Sequence, residues 1–160
     1  TTVLTSGTMT VAQFAINADA GGAVAWRKIK LNYSKSGDFT VGDVKIYLSS
    51  NQSTPLANST VEDTGSSFVV TLSADEVVTG AKTYVLKTTF TGSVTSGNSF
   101  SVSIPSSSPY SPPTSLSGIN SGATFVWSDM SSSAHSDSTS DWMGDYLVKN
   151  LPTDSQTITK

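Results

Sequence analysis

The sequence predicts an all-β fold, an antiparallel sandwich followed by a C-terminal linker and two extra short strands. Three observations predict it. Apolar residues alternate with a period of two in five segments, as in strands that bury one face. Glycine-rich turn signals separate those segments. No amphipathic stretch is long enough for a full helix.

The elements follow in order. Met9 and Val11 share one phase, while Phe14 and Ile16 sit one step out. A bulge near Ala12–Gln13 would bring both pairs to one face. Ile29, Leu31 and Tyr33 then alternate with Lys28, Lys30 and Asn32. Val44, Ile46 and Leu48 form the next strand, and Phe68, Val70 and Leu72 the one after. Tyr84, Leu86, Thr88 and Phe90 alternate with Val85, Lys87 and Thr89. Phe100, Val102 and Ile104 alternate with serines. The β-branched and aromatic residues suit a pleated, half-buried surface. Between two strands, Ser73-Ala-Asp-Glu76 has the capping-box pattern and Gly80 a stop signal, which predicts one helical turn.

The composition changes at Pro105. Thirteen of the 18 residues in 105–122 are Ser, Pro or Gly. That stretch reads as a linker without a ladder, kept extended by its prolines. After it, 123–127 reads as a strand, 128–141 as a Ser/Asp-rich loop and 145–151 as a second strand ended by Pro152. The domain reading is an immunoglobulin-like core over 1–104, a linker over 105–122 and a strand tail over 123–160. The tail is too short for a core of its own, so it packs on its own sandwich or on a neighbouring subunit's.

The 160 residues include 30 Ser, 22 Thr and no Cys, with a net charge of -3. No disulfide framework or Cys-based metal site exists. Nine basic against twelve acidic residues give no basic patch for nucleic acid, and no apolar run is long enough to span a membrane. The low charge and high hydroxyl content predict an extracellular or cell-surface protein, left after signal-peptide removal. Residues 1–104 hold seven acids and seven bases, so the net charge lies in the tail.

Two stretches carry a family resemblance. The opening Thr10-Val-Ala-Gln-Phe-Ala-Ile-Asn-Ala-Asp-Ala-Gly-Gly22 is one. The other is the tail Phe125-Val-Trp-Ser-Asp-Met, His135, Asp141-Trp142 and Asp145-Tyr-Leu-Val-Lys-Asn-Leu-Pro-Thr153. Together they resemble secreted immunoglobulin-like surface proteins of small-genome candidate-phyla bacteria. The resemblance implies a β-sandwich, an extracellular location and no enzymatic activity. It supplies no site residues.

Chemistry-bearing residues are few. His135-Ser136-Asp137 holds the letters of a Ser-His-Asp triad, but a Ser-rich loop places such neighbours beside any histidine, and no nucleophile elbow exists. Asp137, Asp141 and Asp145, with Asp129 nearby, are weak calcium candidates. Read as an EF-hand from Asp137 the pattern fails, with Trp142 where Gly belongs and Val148 where Glu belongs. Otherwise no cofactor is expected. Glu62 and Glu76 each sit beside an Asp, yet adjacent strand residues point apart, which argues against a glycosidase pair. Lys28 and Lys30 have the outward phase, against an isopeptide crosslink. Sequons stand at Asn32, Asn51 and Asn58.

Two functional readings result. The first is a non-enzymatic structural subunit of an extracellular filament, pilus-like fibre or surface layer. Copies would join head-to-tail as a homopolymer by strand addition, with one terminal segment acting in trans and the C-terminal one favoured. The contact candidates are Met9, Val11, Phe14, Ile16, Phe125, Trp127, Trp142, Tyr146 and Val148. The alternative is a cell-surface adhesin or carbohydrate-binding module that meets surface glycans through Trp127, Trp142 and the acidic loop.

Overall fold

A computed structural model describes residues 2–19, 21–57, 60–106 and 110–160. It is all-β, as expected. The strands are β1 (Gly7–Asn17), β2 (Val24–Ser36), β3 (Thr40–Leu48), β4 (Asn51–Pro55), β5 (Thr60–Asp63), β6 (Ser67–Val78), β7 (Ala81–Thr91), β8 (Ser99–Ser103), β9 (Ser111–Thr114), β10 (Phe125–Ser128), β11 (Trp142–Gly144) and β12 (Gln156–Thr159). They form two antiparallel sheets. The smaller runs β1-β7-β3-β4. The larger runs β12-β8-β2-β10-β11-β9, with β6 on the other side of β2 and β5 beyond β6.

The five alternating segments become β2, β3, β6, β7 and β8. Their inward residues make one core between the sheets, including Trp26, Leu31, Ile46, Phe68, Leu86 and Phe100, each essentially without exposed surface. Burial of such side chains stabilises by about 1.5–3 kcal/mol each. The shift in β1 is real and lies between Thr10 and Ala12, one residue before the expected place. It lets Val11 and Ala12 both turn inward.

Three expectations are corrected. First, 73–78 is strand, not a helical turn. Val24, Ala25 and Trp26 pair Val78, Val77 and Glu76, and the ladder resumes at Lys28 with Thr71. Between them the register shifts opposite Arg27, with Leu72 kept in the core and Ser73 and Ala74 exposed. Asp75 and Glu76 are engaged in ion pairs with Arg27 and Lys82 instead of capping a helix.

Second, 105–122 does contain a ladder. Ser111 and Thr114 pair with Gly144 and Trp142. Pro112 and Pro113 fit there because β9 is an edge strand, whose outer side needs no N–H donor. Third, 145–151 is not a strand. Asp145, Leu147 and Asn150 have positive φ (61°, 56° and 63°), and the Leu151–Pro152 peptide is cis. The cause is local. The Asp145 carboxylate accepts from the Thr124 and Phe125 amides at 3.0 and 2.8 Å, which turns the chain out of the ladder after Gly144.

The tail is seated in its own chain. β10 pairs Ala25–Ile29 of β2, and β8 pairs Asn32–Ser36 on the same side, so the two lie end to end. β12 pairs β8, and Val3 bridges Thr159. The split at residue 104 is therefore not a structural division, and the favoured C-terminal donor occupies a place in its own sheet.

Candidate functional site

An edge strand exposes unpaired backbone N–H and C=O groups, and natural proteins usually blunt such edges with charge, proline or brevity. The smaller sheet has two edges. β4 is five residues long and ends in Pro55. Its own groups are partly engaged: Asn51 Oδ1 accepts from the Ser53 amide, and Lys87 Nζ donates to the Gln52 carbonyl. β1 is different. Its 11 residues, GTMTVAQFAIN, contain no charge and no proline. No strand pairs with it on the side away from β7 among the described residues.

The polarity of that side follows from strand geometry, in which successive residues direct their backbone groups to alternate sides. The Gln13 amide donates to Gln156 Oε1 at 2.9 Å, and Gln156 Nε2 donates to the Gln13 carbonyl at 2.8 Å. Gln13 thus faces outward, and Ala15 and Asn17 face the same way. Phe14 and Ile16 turn half-buried side chains into the sandwich, where Phe14 stacks on Tyr84 with centroids 5.4 Å apart. Burial pushes the Tyr84 hydroxyl up, even though it accepts from Trp26 Nε1.

Beside this edge the sandwich is open. A groove of about 1090 Å³ runs along β1, lined by Phe14 and Ile16, by Ile29 and Leu31 of β2, and by Val102 and Ile104. Phe125 and Trp127 of β10 continue the wall, and 147–151 closes one side. Leu147 holds a left-handed backbone, sparsely populated for a bulky residue, and remains 66% exposed. The rim carries Asp19, Asp129, Asp154 and Lys149.

The groove unites five of the nine contact candidates: Phe14, Ile16, Phe125, Trp127 and Val148. The others lie elsewhere. Val11 and Trp142 are 3% and 0% exposed inside their own fold, so neither presents a surface to a neighbour. Met9 packs partly against the core, with its sulfur accepting from the Thr5 amide. Tyr146 is exposed and lies 4.9 Å from Tyr110, centroid to centroid. Trp127 is half-buried, its indole donating to the Tyr146 carbonyl at 2.9 Å.

The acidic loop is a second, closed region. His135 Nδ1 lies 2.8 Å from Asp141 Oδ2, and Nε2 lies 3.3 Å from Asp75 Oδ2. Arg27 joins Asp75 to Asp137, and its guanidinium stands 5.8 Å over the Trp142 ring. Burial alone would raise Asp141, but hydrogen bonds from Thr139, His135 and the Ser132 amide outweigh it and hold the carboxyl down to about 2.

The three calcium candidates are therefore not brought together. Asp137 faces Arg27, Asp141 faces His135 and Thr139, and Asp145 faces two amides. Among the described residues no group of three or more acidic or histidine side chains is placed to hold a metal ion. The triad letters do not assemble either, since Ser136 Oγ meets Ser138 Oγ at 3.1 Å.

Glu62 is exposed on β5, while Glu76 accepts from Lys82 and Tyr84. Lys28 reaches the Ser121 carbonyl, and burial lowers its ammonium despite attraction to Asp145. Asn32 and Asn51 are exposed, and Asn58 lies outside the described residues. Among the described residues no helix is long and apolar enough to cross a membrane.

The sequence alone did not point to Gln156, the one side chain among the described residues that meets the β1 edge with both hydrogen bonds. Its only signal is the short alternation Gln-Thr-Ile-Thr of β12. Comparison with protein-family models, curated proteins and solved structures returned no match.

Proposed function

We propose that this chain is a non-enzymatic structural subunit of an extracellular filament, pilus-like fibre or surface layer. Copies join head-to-tail by strand addition at β1. The observation that carries the reading is the long, uncharged β1 edge beside an apolar groove. An extended segment of a second copy gains main-chain hydrogen bonds from Ala15 and Asn17, and its alternate side chains enter the groove beside Phe14 and Ile16. A heterologous contact of this kind does not close and so propagates. The hydroxyl-rich, weakly charged composition suits an extracellular setting. Electron microscopy of the chain at rising concentration tests the proposal. Regular filaments are expected, and a monomer that persists at high concentration contradicts it.

A second reading, a glycan-binding surface module, is favoured by the exposed Tyr110–Tyr146 pair. It is not favoured at Trp142, which is fully buried. A glycan array reads it directly: binding lost in both Tyr110→Ala and Tyr146→Ala supports a tyrosine platform, and binding retained in both removes it.

A further inference from the structure

Gln156 stands in an unusual place. Its backbone belongs to the larger sheet, where it pairs Val102 of β8. Its side chain crosses the open side of the sandwich to Gln13 on the smaller sheet. A carboxamide carries one C=O and an N–H in a plane, the same groups as a peptide unit. It therefore meets both polar groups of Gln13, as the backbone of a neighbouring strand would.

Gln13 and Gln156 are both exposed, so burial does not force this pairing. Both residues also line the groove. The contact sits where pairing with β1 would begin, next to the outward groups of Ala15 and Asn17.

We propose that Gln156 is an autoinhibitory cap on the β1 edge, displaced when a strand of a second copy adds there. The inference rests on the strand-addition reading and deepens it by naming the contact that controls the same site. The occupant is a second copy because every copy carries long uncharged segments, 2–18 and 88–128, that meet no repulsion along the uncharged 11-residue edge. A charged segment would place its charges against Phe14, Ile16 and Val102.

With the cap in place, adding a strand exchanges two existing hydrogen bonds for two new ones at Gln13. With the cap removed, the same addition satisfies groups that were left to water. The cap thus weakens association without touching the apolar groove, and it also keeps the edge from pairing indiscriminately.

The experiment measures mass against concentration by light scattering for the full chain and for Gln156→Ala and Gln156→Glu. The glutamate variant keeps the length but loses the donor and sets a carboxylate against the Gln13 carbonyl. Two variants are used so that one remains if the other folds poorly, with circular dichroism as the control. Hydrogen exchange at the Gln13 amide reports the cap itself.

The expected result is faster exchange at Gln13 and association at least tenfold tighter in both variants, equal to about 1.4 kcal/mol. Faster exchange with unchanged association overturns the cap while leaving strand addition standing. A monomer in all three proteins, with Gln13 open in the variants, overturns the strand-addition reading and the cap with it.

Discussion

The β1 edge and the Arg27–His135 cluster are built in opposite ways. In the cluster, three carboxylates, a guanidinium and an imidazole meet one another, and Asp141 is only 2% exposed. Those polar groups are committed to one another, from buried Asp141 out to Asp137, whose side chain is 61% exposed. Along β1 there is no ionisable side chain, yet backbone groups and half-buried apolar side chains stand open. The difference teaches that the residues most suggestive of chemistry can be the most structural ones. In this chain the capacity for new contacts lies in an uncharged strand. Changes at the edge should alter association and leave stability alone, and changes in the cluster should do the reverse.

The largest expected effect is at the edge. Ala15 faces outward, so proline there removes a donor that no strand of this chain uses. Ala15→Pro should weaken association by a hundredfold or more, with an unchanged circular dichroism spectrum. Thr54→Lys on the β4 edge should leave association as it is.

Next comes Trp142, the anchor of the closed region. Trp142→Ala should cost about 3–5 kcal/mol of unfolding free energy through lost burial and the cavity left behind. Denaturant titration measures it. A loss below 1 kcal/mol would mean that β11 is not held by this ring.

Asp141 gives a smaller and pH-dependent effect. Its folded value of about 2 lies below the unfolded value of 3.8. The stabilisation is therefore present above pH 4 and is lost as pH falls towards 2, amounting to about 2 kcal/mol. Asp141→Asn should remove that acid-dependent slope, which thermal melts between pH 5 and 2 would show.

The smallest effect is at the rim. Lys149 pairs with Asp19 at 3.4 Å, with side chains 73% and 90% exposed. Exposed pairs contribute little, so Lys149→Ala should change neither melting temperature nor association measurably.

Much of the fold was legible in the sequence because burial leaves a local trace. Phe68, Val70 and Leu72 alternate because one face of β6 is covered, and the phase break in β1 marked its bulge within one residue. What was not legible depends on partners distant in sequence. β9 and β12 are short and polar, and only pairing with β11 and β8 makes them strands. Ser73–Glu76 carries the letters of a helix cap, yet the same acids are drawn to Arg27 and Lys82 across the sheet. The 145–151 stretch alternates like a strand, but Asp145 captures two amides and turns the chain.

Of the candidate site, Phe14, Ile16, Phe125, Trp127 and Val148 were legible as apolar residues needing cover. Their meeting in one groove was not, because it depends on β10 inserting beside β2. Gln156 left only the short alternation of β12, since its role rests on a reach between sheets.

Association of copies through the open edge of β1 is open to a direct test. Light scattering of the wild-type chain and Ala15→Pro over the same concentration range tests it most directly. The wild-type mass should climb with concentration while the variant stays a monomer. Equal masses in the two proteins at every concentration would contradict it.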